Sequence, residues 1–129
     1  MSIASNKQIV SDFFKHLNAG NVAAAFEKVA DEVKWWVPGA LPFSGTKNKA
    51  GYMGIVNKIQ TGFPAGLKFA VNTLVAEGDH VAAEVESLGQ HLSGKTYNNK
   101  YHFLFTLLEG KVIAVKEYMD TQHLKDLIS

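Results

Sequence analysis

Hydrophobic residues near the start of the chain recur at the spacing of an α-helix. The pattern predicts a helix that begins at a capping box formed by Ser5 and Gln8 and ends at Gly20. Its apolar positions fall on one face: Ile9, Val10, Phe13, Phe14 and Leu17. Two further helices are predicted, a short one over residues 21–31 and a longer one over residues 48–61, and each has an apolar side that needs a partner surface.

Alternation of polar and apolar residues indicates strands in most of the remaining chain. A short strand is predicted over residues 33–37, followed by a loop that Pro38 and Pro42 exclude from the centre of a sheet. After Gly66 the pattern predicts four long strands, over residues 67–76, 80–92, 96–108 and 111–120. Short connections that contain glycine favour antiparallel hairpins between them, and a last helical turn is predicted over residues 121–128.

Helices followed by a run of long strands are typical of an α+β fold rather than of alternating βαβ units. The helices must bury their apolar faces against one face of the sheet, so we expect a curved antiparallel sheet that encloses an apolar pocket. The sequence contains no repeat and no linker, and its 129 residues are predicted to form one domain, residues 1–129.

Composition narrows the classes of partner. The 13 basic and 12 acidic residues give a net charge of +1, so no global field attracts nucleic acid or an anionic membrane surface. Every basic residue is lysine, so the bidentate arginine contact to phosphate or guanine is absent. The absence of cysteine excludes thiol chemistry. No apolar run is long enough to span a bilayer and no secretory pattern opens the chain, so we expect a cytoplasmic protein.

The alternation in the last predicted strand places one carboxylate on its more apolar face. Glu117 shares that face with Val115 and Met119. Burial disfavours the charged form of a carboxylate and raises its pKa, which suits a general acid or base. Alternatively, Glu117 lies at the pocket rim or pairs with a lysine or tyrosine, and serves structure.

Aromatic residues at a period of two form one wall of the predicted pocket. Tyr101, Phe103 and Phe105 share a face, where they suit either an apolar ligand or an ordinary core. The hydroxyl of Tyr101 can also donate to a substrate oxygen. Trp35 and Trp36 must point to opposite faces of their strand, so one indole can reach the pocket and the other a subunit contact on the convex face.

The other polar residues are weaker candidates for a catalytic or metal-binding role. Glu84 and Glu86 lie on the less apolar side of their strand, where solvation or pairing with Lys100 or Lys116 is expected rather than glycoside hydrolysis. The five histidines lack the spacing of metal ligands, so no metal site is predicted. No nucleotide-binding fingerprint is present.

Several local strings resemble a known family. They are DFFKHLNAGN at residues 12–21, WVPG at 36–39 with FSG at 43–45, GKTYNNKY at 94–101 and KEYMDT at 116–121. Together with the order of elements, they resemble the SnoaL-like group of the nuclear-transport-factor-like, ketosteroid-isomerase-like superfamily. The resemblance implies a cone-shaped α+β fold and a homodimer formed through the convex sheet face. It does not specify an activity, because the superfamily includes isomerases, cyclases, epoxide hydrolases and non-catalytic binders.

The resemblance to ketosteroid isomerases argues against their reaction here. The tyrosine that donates to the steroid oxygen has its place taken by Phe13, and the aspartate that shuttles the proton has its place taken by Val37. Without that hydroxyl and that base, the same isomerisation is not expected.

The chain shares one acidic site position with the limonene epoxide hydrolases that it resembles. The tyrosine and asparagine that position water in those enzymes align with Lys34 and Trp36, and their arginine and middle-strand aspartate with Val85 and Ser87. Only the aspartate of their last strand has an acidic counterpart, Glu117.

SnoaL-like cyclases are proposed to need little beyond an acid or base in an apolar cavity. We therefore expect a cofactor-independent enzyme that acts on a small apolar, carbonyl-containing or cyclic molecule, with Glu117 as general acid or base and Tyr101 assisting. The alternative is a non-catalytic binder of a hydrophobic metabolite or a dimerisation module. The predicted pocket lining is Phe13, Trp36, Phe43, Met53, Val56, Tyr101, Phe103, Glu117 and Met119. The predicted convex face carries Trp35, His102, Leu104 and Tyr118.

Overall fold

The computed structural model describes residues 2–129, which form four helices and one seven-stranded sheet. The helices are α1 (Ile3–Asn18), α2 (Val22–Ala25), α3 (Lys49–Gln60) and α4 (Thr121–Ile128). The strands are β1 (Val29–Val37), β2 (Gly45–Lys47), β3 (Lys68–Glu77), β4 (His80–Gln90), β5 (Thr96–Tyr97), β6 (Lys100–Leu108) and β7 (Lys111–Met119).

The sheet has the order β2-β1-β7-β6-β4-β3, and β5 pairs with β4. Its pairs are antiparallel except β1 with β7, which run parallel. Helix α1 packs on β3 and β4, and α3 packs on β1 and β2. The α+β prediction, with helices on a curved and mostly antiparallel sheet, is confirmed.

Local capping explains where the helices begin. Asn48 caps α3 by accepting from the Gly51 N–H at 2.8 Å, and Asp120 caps α4. The capping box predicted at Ser5 is wrong. Ser2 is the cap of α1, because its hydroxyl accepts from the backbone N–H of Ser5 at 3.0 Å, and the helix starts one turn earlier.

Two predicted segments differ in the structure because of long-range pairing. The second helix ends at Ala25 rather than near residue 31, because Val29 already pairs with Val112 of β7 and continues as strand. The predicted strand over residues 96–108 is divided before Lys100. There the buried Asn99 pairs its backbone C=O with the N–H of Ser87 at 2.8 Å. Strand β2 was not predicted from the sequence.

An aromatic layer joins the helices to the concave face of the sheet. Phe13 of α1 contacts Phe26, Trp35 and Phe105 with ring centroids 5.1 to 6.0 Å apart. Phe26, Trp35 and Phe105 are completely buried. This layer fixes the positions of α1 and β1 relative to β6 and β7, whose concave faces carry the candidate site.

The convex face is partly apolar and partly charged. Trp36 and Tyr118 contact each other edge to face at 5.3 Å, and 43% of Tyr118 is exposed. Glu84 is solvent-exposed as predicted, and Glu86 lies opposite Lys100 and accepts from the Asn98 amide at 2.9 Å. Nowhere in residues 2–129 is there a helix long and apolar enough to cross a membrane.

Candidate active site

A small cavity lies between α1, α3 and the concave face of the sheet, with an interior volume of about 60 Å³. Its lining consists of Phe13, Phe14, Leu17, Trp35, Val37, Phe43, Tyr52, Ile55, Val56, Ile59, Gln60, Leu67, Phe69, Tyr97, Tyr101, Phe103, Glu117 and Leu124. Glu117 is the one carboxylate in this lining. The described residues contain no cluster of three or more His, Asp or Glu side chains that could hold a metal ion.

Glu117 is held by two hydrogen bonds to one of its oxygens. Its Oε1 accepts from the Trp35 indole N–H at 2.8 Å and from the Tyr52 hydroxyl at 2.5 Å. Its Oε2 makes no hydrogen bond within residues 2–129 and is not among their fully enclosed polar atoms without a partner. The free oxygen is therefore open to the cavity.

Burial raises the pKa of Glu117, and the hydrogen bonds from Tyr52 and Trp35 offset only part of that rise. Burial, and then the neighbouring carboxylate, raises the pKa of Tyr52 well above its ordinary value, so this hydroxyl stays a donor at neutral pH. Because Oε1 already accepts two hydrogens, a proton taken up by Glu117 binds to Oε2. The cavity-facing oxygen can thus accept and return a proton.

Tyr52 is oriented by stacking as well as by its hydrogen bond. Its ring lies on the indole of Trp35 with centroids 4.1 Å apart and planes inclined by 15°. The Asn48 cap sets the first turn of α3, and this turn carries Tyr52 toward β1. Sequence reasoning placed Tyr52 on the apolar side of this helix but gave it no role. A hydroxyl on an otherwise aliphatic face was the available signal.

A second polar group is formed by two tyrosines. The hydroxyls of Tyr97 and Tyr101 lie 2.5 Å apart, and the Asn99 Nδ2 donates to Tyr97 at 3.0 Å. The orientation of the Asn99 amide is set by the backbone of Asp120, whose N–H donates to Oδ1 at 3.2 Å and whose C=O accepts from Nδ2 at 3.0 Å.

The tyrosine pair has one hydroxyl hydrogen more than its hydrogen bonds use. The two hydroxyls share one hydrogen bond, so only one of their two hydrogens is used, and no group in residues 2–129 accepts the other. Burial raises the pKa of Tyr97 to about 12 and that of Tyr101 well above its ordinary value. The pair therefore stays protonated and has one O–H free for a ligand.

Strand register places these two groups on the same face of the sheet. Phe103 lies directly opposite Glu117, and Tyr101 is the next residue on the same face, opposite Met119. Glu117, Tyr97 and Tyr101 all line the same cavity, so one small ligand can contact both the tyrosine donor and the carboxylate.

A sequence profile described as the SnoaL-like domain matches residues 10–115. The chain belongs to the SnoaL-like family. UPF0523 protein B of Dictyostelium discoideum is 27% identical over an alignment of 118 positions that covers 84% of this chain and 69% of that protein.

Two solved structures show the same fold as this SnoaL-like domain. An NTF2-like protein of Burkholderia pseudomallei matches with a TM-score of 0.87 and 17% identity, over 100% of this chain and 99% of that one. IdmH, a proposed polyketide cyclase of Streptomyces antibioticus, matches with a TM-score of 0.80 and 17% identity, over 95% and 97% of the two chains. The SnoaL-like domain thus has the NTF2-like fold that its sequence resembles.

The cavity of the SnoaL-like domain brings together most of the predicted site residues. Six of them line it: Phe13, Phe43, Val56, Tyr101, Phe103 and Glu117. Met53 and Met119 are half-buried and pack against the core beside the lining. Tyr52, Tyr97 and Trp35 were not predicted to take part in the site, nor was Asn99, which holds Tyr97.

The two tryptophans are exchanged relative to the prediction. Trp35 lies opposite Val115 in the parallel pairing of β1 with β7, and therefore shares the concave face with Glu117. Trp36 lies opposite Lys116 and points to the convex face. The prediction that Trp36 lines the pocket and Trp35 the convex face is wrong, because local alternation does not say which of two adjacent residues faces inward.

Replacing Tyr52 by phenylalanine should raise the pKa of Glu117 further. The substitution removes a donor that stabilises the ionised carboxylate but keeps the ring stacked on Trp35. Loss of this buried bond should also cost about 2 kcal/mol of stability. The carboxyl carbon of Glu117, followed by NMR during a pH titration, reports the shift. Tyr118→Phe on the convex face is the matched control, and an unchanged or lowered midpoint in Tyr52→Phe would refute the role of Tyr52.

Proposed function

We propose that this SnoaL-like protein catalyses proton transfer at the carbon next to the carbonyl group of a small apolar substrate. Isomerisations and aldol-type ring closures both begin with this step. The observation that supports the proposal is a buried carboxylate with one free oxygen, Oε2 of Glu117, across an apolar cavity from the free hydroxyl of the Tyr97–Tyr101 pair.

The proposed step uses both groups. Oε2 of Glu117 takes a proton from the substrate α-carbon, the electrons of the broken C–H bond form a C=C bond to the carbonyl carbon, and the C=O π electrons move to the oxygen. The tyrosine O–H donates a hydrogen bond to that oxygen as its charge develops. Glu117 then returns the proton to another carbon in an isomerisation. In an aldol closure, the α-carbon attacks a second carbonyl, and Glu117 protonates the oxygen of that carbonyl.

The surroundings of Glu117 suit a base of moderate strength. Burial raises its pKa, which increases its affinity for a proton. The bonds from Tyr52 and Trp35 keep the ionised form accessible and leave Oε2 to do the chemistry. The apolar walls limit the competing access of water to the enolate.

Deuterium exchange tests the proposal without knowledge of the natural substrate. The protein is incubated in D₂O with small neutral ketones such as 2-pentanone, cyclopentanone and cyclohexanone, and loss of the α-proton signals is followed by NMR. Saturable exchange above the buffer rate supports the proposal. Failure to exchange any of these ketones, together with Glu117 titrating at its ordinary pKa, would refute it.

Binding without turnover is the second candidate. The two donors on Oε1 give Glu117 a structural role, since they link β1, α3 and β7. A small ketone that binds in the cavity without any α-proton exchange would favour this candidate.

We also propose that two copies pair through the convex face. On this face the acidic side chains Glu84 and Glu86 lie on β4. The basic side chains Lys34 and Lys116 lie on β1 and β7, and β6 separates the two groups. A two-fold axis along β6 would set β4 of one protomer over β7 of its partner and bring opposite charges together.

Charge reversal tests this pairing. Lys34→Glu with Lys116→Glu should weaken self-association by about 10- to 100-fold, because acidic groups would then face Glu84 and Glu86. Adding Glu84→Lys and Glu86→Lys to the same chain should restore it. Sedimentation velocity measures both changes. A monomeric wild-type chain, or a fourfold variant that stays dissociated, would exclude this arrangement.

A further inference from the structure

A second apolar concavity lies outside the inner cavity, between the C-terminal half of α3 and α4. Its volume is about 560 Å³, compared with about 60 Å³ inside. Four side chains line both spaces: Phe43, Ile55, Ile59 and Leu124. The two spaces are therefore adjacent, with these side chains between them, and we call the outer one the α3–α4 groove.

Because the two spaces differ in size, each suits a different part of one ligand. The inner cavity is about nine times smaller than the α3–α4 groove, so it can hold only a small part of a ligand. A carbonyl group with its neighbouring carbons is such a part, and a polycyclic skeleton is not. The α3–α4 groove is within the range usual for ligand pockets, which is about 300–1,000 Å³.

Charge gives the groove a polarity. Its ionisable side chains are Lys58 and His91, and its lining contains no carboxylate, whereas Glu117 lies at the inner end. His91 accepts the backbone N–H of Ser93 on Nδ1 at 3.2 Å, which leaves Nε2 as the ring nitrogen that can donate. Nε2 makes no hydrogen bond within residues 2–129 and lies beside Gly62, where a Cβ would be only 2.6 Å from it.

We infer that the substrate is an elongated amphipathic keto acid. Its ketone enters the inner cavity beside Glu117, its apolar chain lies in the α3–α4 groove, and its carboxylate faces Lys58 and His91. This inference rests on the proposed function, because it assigns the inner end to the carbonyl group. The opposite orientation would place two carboxylates together in a buried space, which is costly.

Matched ketones test the inference by their dissociation constants, measured by calorimetry. Each additional buried methylene should tighten binding about fourfold. Because the groove is open on one side, 2-undecanone should bind at least about 100-fold more tightly than 2-pentanone. Ile128→Glu should weaken 2-undecanone binding about 10-fold, because Ile128 lines the groove. Ile3→Glu should not, although Ile3 and Ile128 are similarly exposed, 46% and 45%.

The carboxylate end is tested with 10-oxoundecanoate, which has the same length as 2-undecanone. Lys58→Glu should weaken binding of 10-oxoundecanoate about 10-fold more than it weakens binding of 2-undecanone, while Lys125→Glu, outside the groove, should affect neither. Equal affinities for short and long ketones would overturn the inference, even if short ketones exchange their α-protons. If Lys58→Glu and Lys125→Glu change the affinity for 10-oxoundecanoate equally, the assignment of the carboxylate to Lys58 and His91 is overturned. Tight binding of 2-undecanone without exchange of its α-protons would instead refute the proposed proton transfer, while the assignment of the groove as a binding site for the apolar chain would stand.

Discussion

Glu117→Gln should reduce α-proton exchange by about 10²- to 10⁴-fold, the usual contribution of a general base. The amide oxygen can replace Oε1 and still accept from Trp35 and Tyr52, so the geometry of the site is kept. An NH₂ group replaces Oε2, and it cannot accept a proton. Exchange of 2-pentanone in D₂O measures the loss, and a variant that exchanges at the wild-type rate would exclude Glu117 as the base.

The same substitution should increase stability at neutral pH. Burial raises the pKa of Glu117 in the folded chain above its value in the unfolded chain. Ionisation therefore favours the unfolded state, and stability is lost as pH rises from the unfolded pKa through the folded pKa. Glutamine does not ionise, so the variant should be more stable by on the order of 1 kcal/mol at neutral pH, as is common when a functional residue is replaced.

Urea denaturation at pH 7.5 and at pH 4 measures this second effect. The advantage of Glu117→Gln should be present at pH 7.5 and should shrink at pH 4, where Glu117 of the wild-type protein is increasingly protonated. A variant that is less stable than wild type at pH 7.5 would show that the carboxylate is mainly structural.

Removing both hydroxyls of the tyrosine pair should have the second largest effect. Tyr97→Phe with Tyr101→Phe deletes the free O–H that we propose as the donor to the developing enolate, and the rate of exchange should fall by about 10²- to 10³-fold. Each single substitution leaves one hydroxyl, which can turn its hydrogen to the ligand. The single variants should therefore lose less, on the order of 10-fold, and the effects should not be additive.

Exchange rates for the two single variants and the double variant form a complete cycle. The Glu117 NMR titration serves as a control in the same variants, since it separates loss of the donor from a change in the base. Full retention of exchange in the double variant would remove the tyrosine pair from the mechanism.

The position of Glu117 was accessible from the sequence because it depends on local alternation. Val115 and Glu117 of β7 are both buried, as alternation in a strand with one covered face requires. The helices α3 and α4 were predicted close to their observed bounds for a similar reason, since Asn48 and Asp120 are strong local caps.

The rest of the site depends on contacts between distant segments. Whether Trp35 or Trp36 faces inward is decided by the register of β1 against β7, which no local pattern contains. The bond from Tyr52 to Glu117 likewise needs the packing of α3 on β1. The contact of Tyr97 with Tyr101 needs the interruption at Asn99, which depends on Ser87 and Asp120.

The indole bond to the carboxylate also has a consequence for how the chain folds. Trp35 and Glu117 are 82 positions apart, and their strands join by a parallel pairing that closes a loop of most of the chain. Closing so long a loop reduces the entropy of the chain before the stabilising contacts can form, so contacts of this kind slow folding. The hairpins formed by β3 with β4 and by β6 with β7 close much shorter loops. The carboxylate of Glu117 therefore acquires its partners only when these two distant strands have come together, and a chain that is still folding has no assembled site.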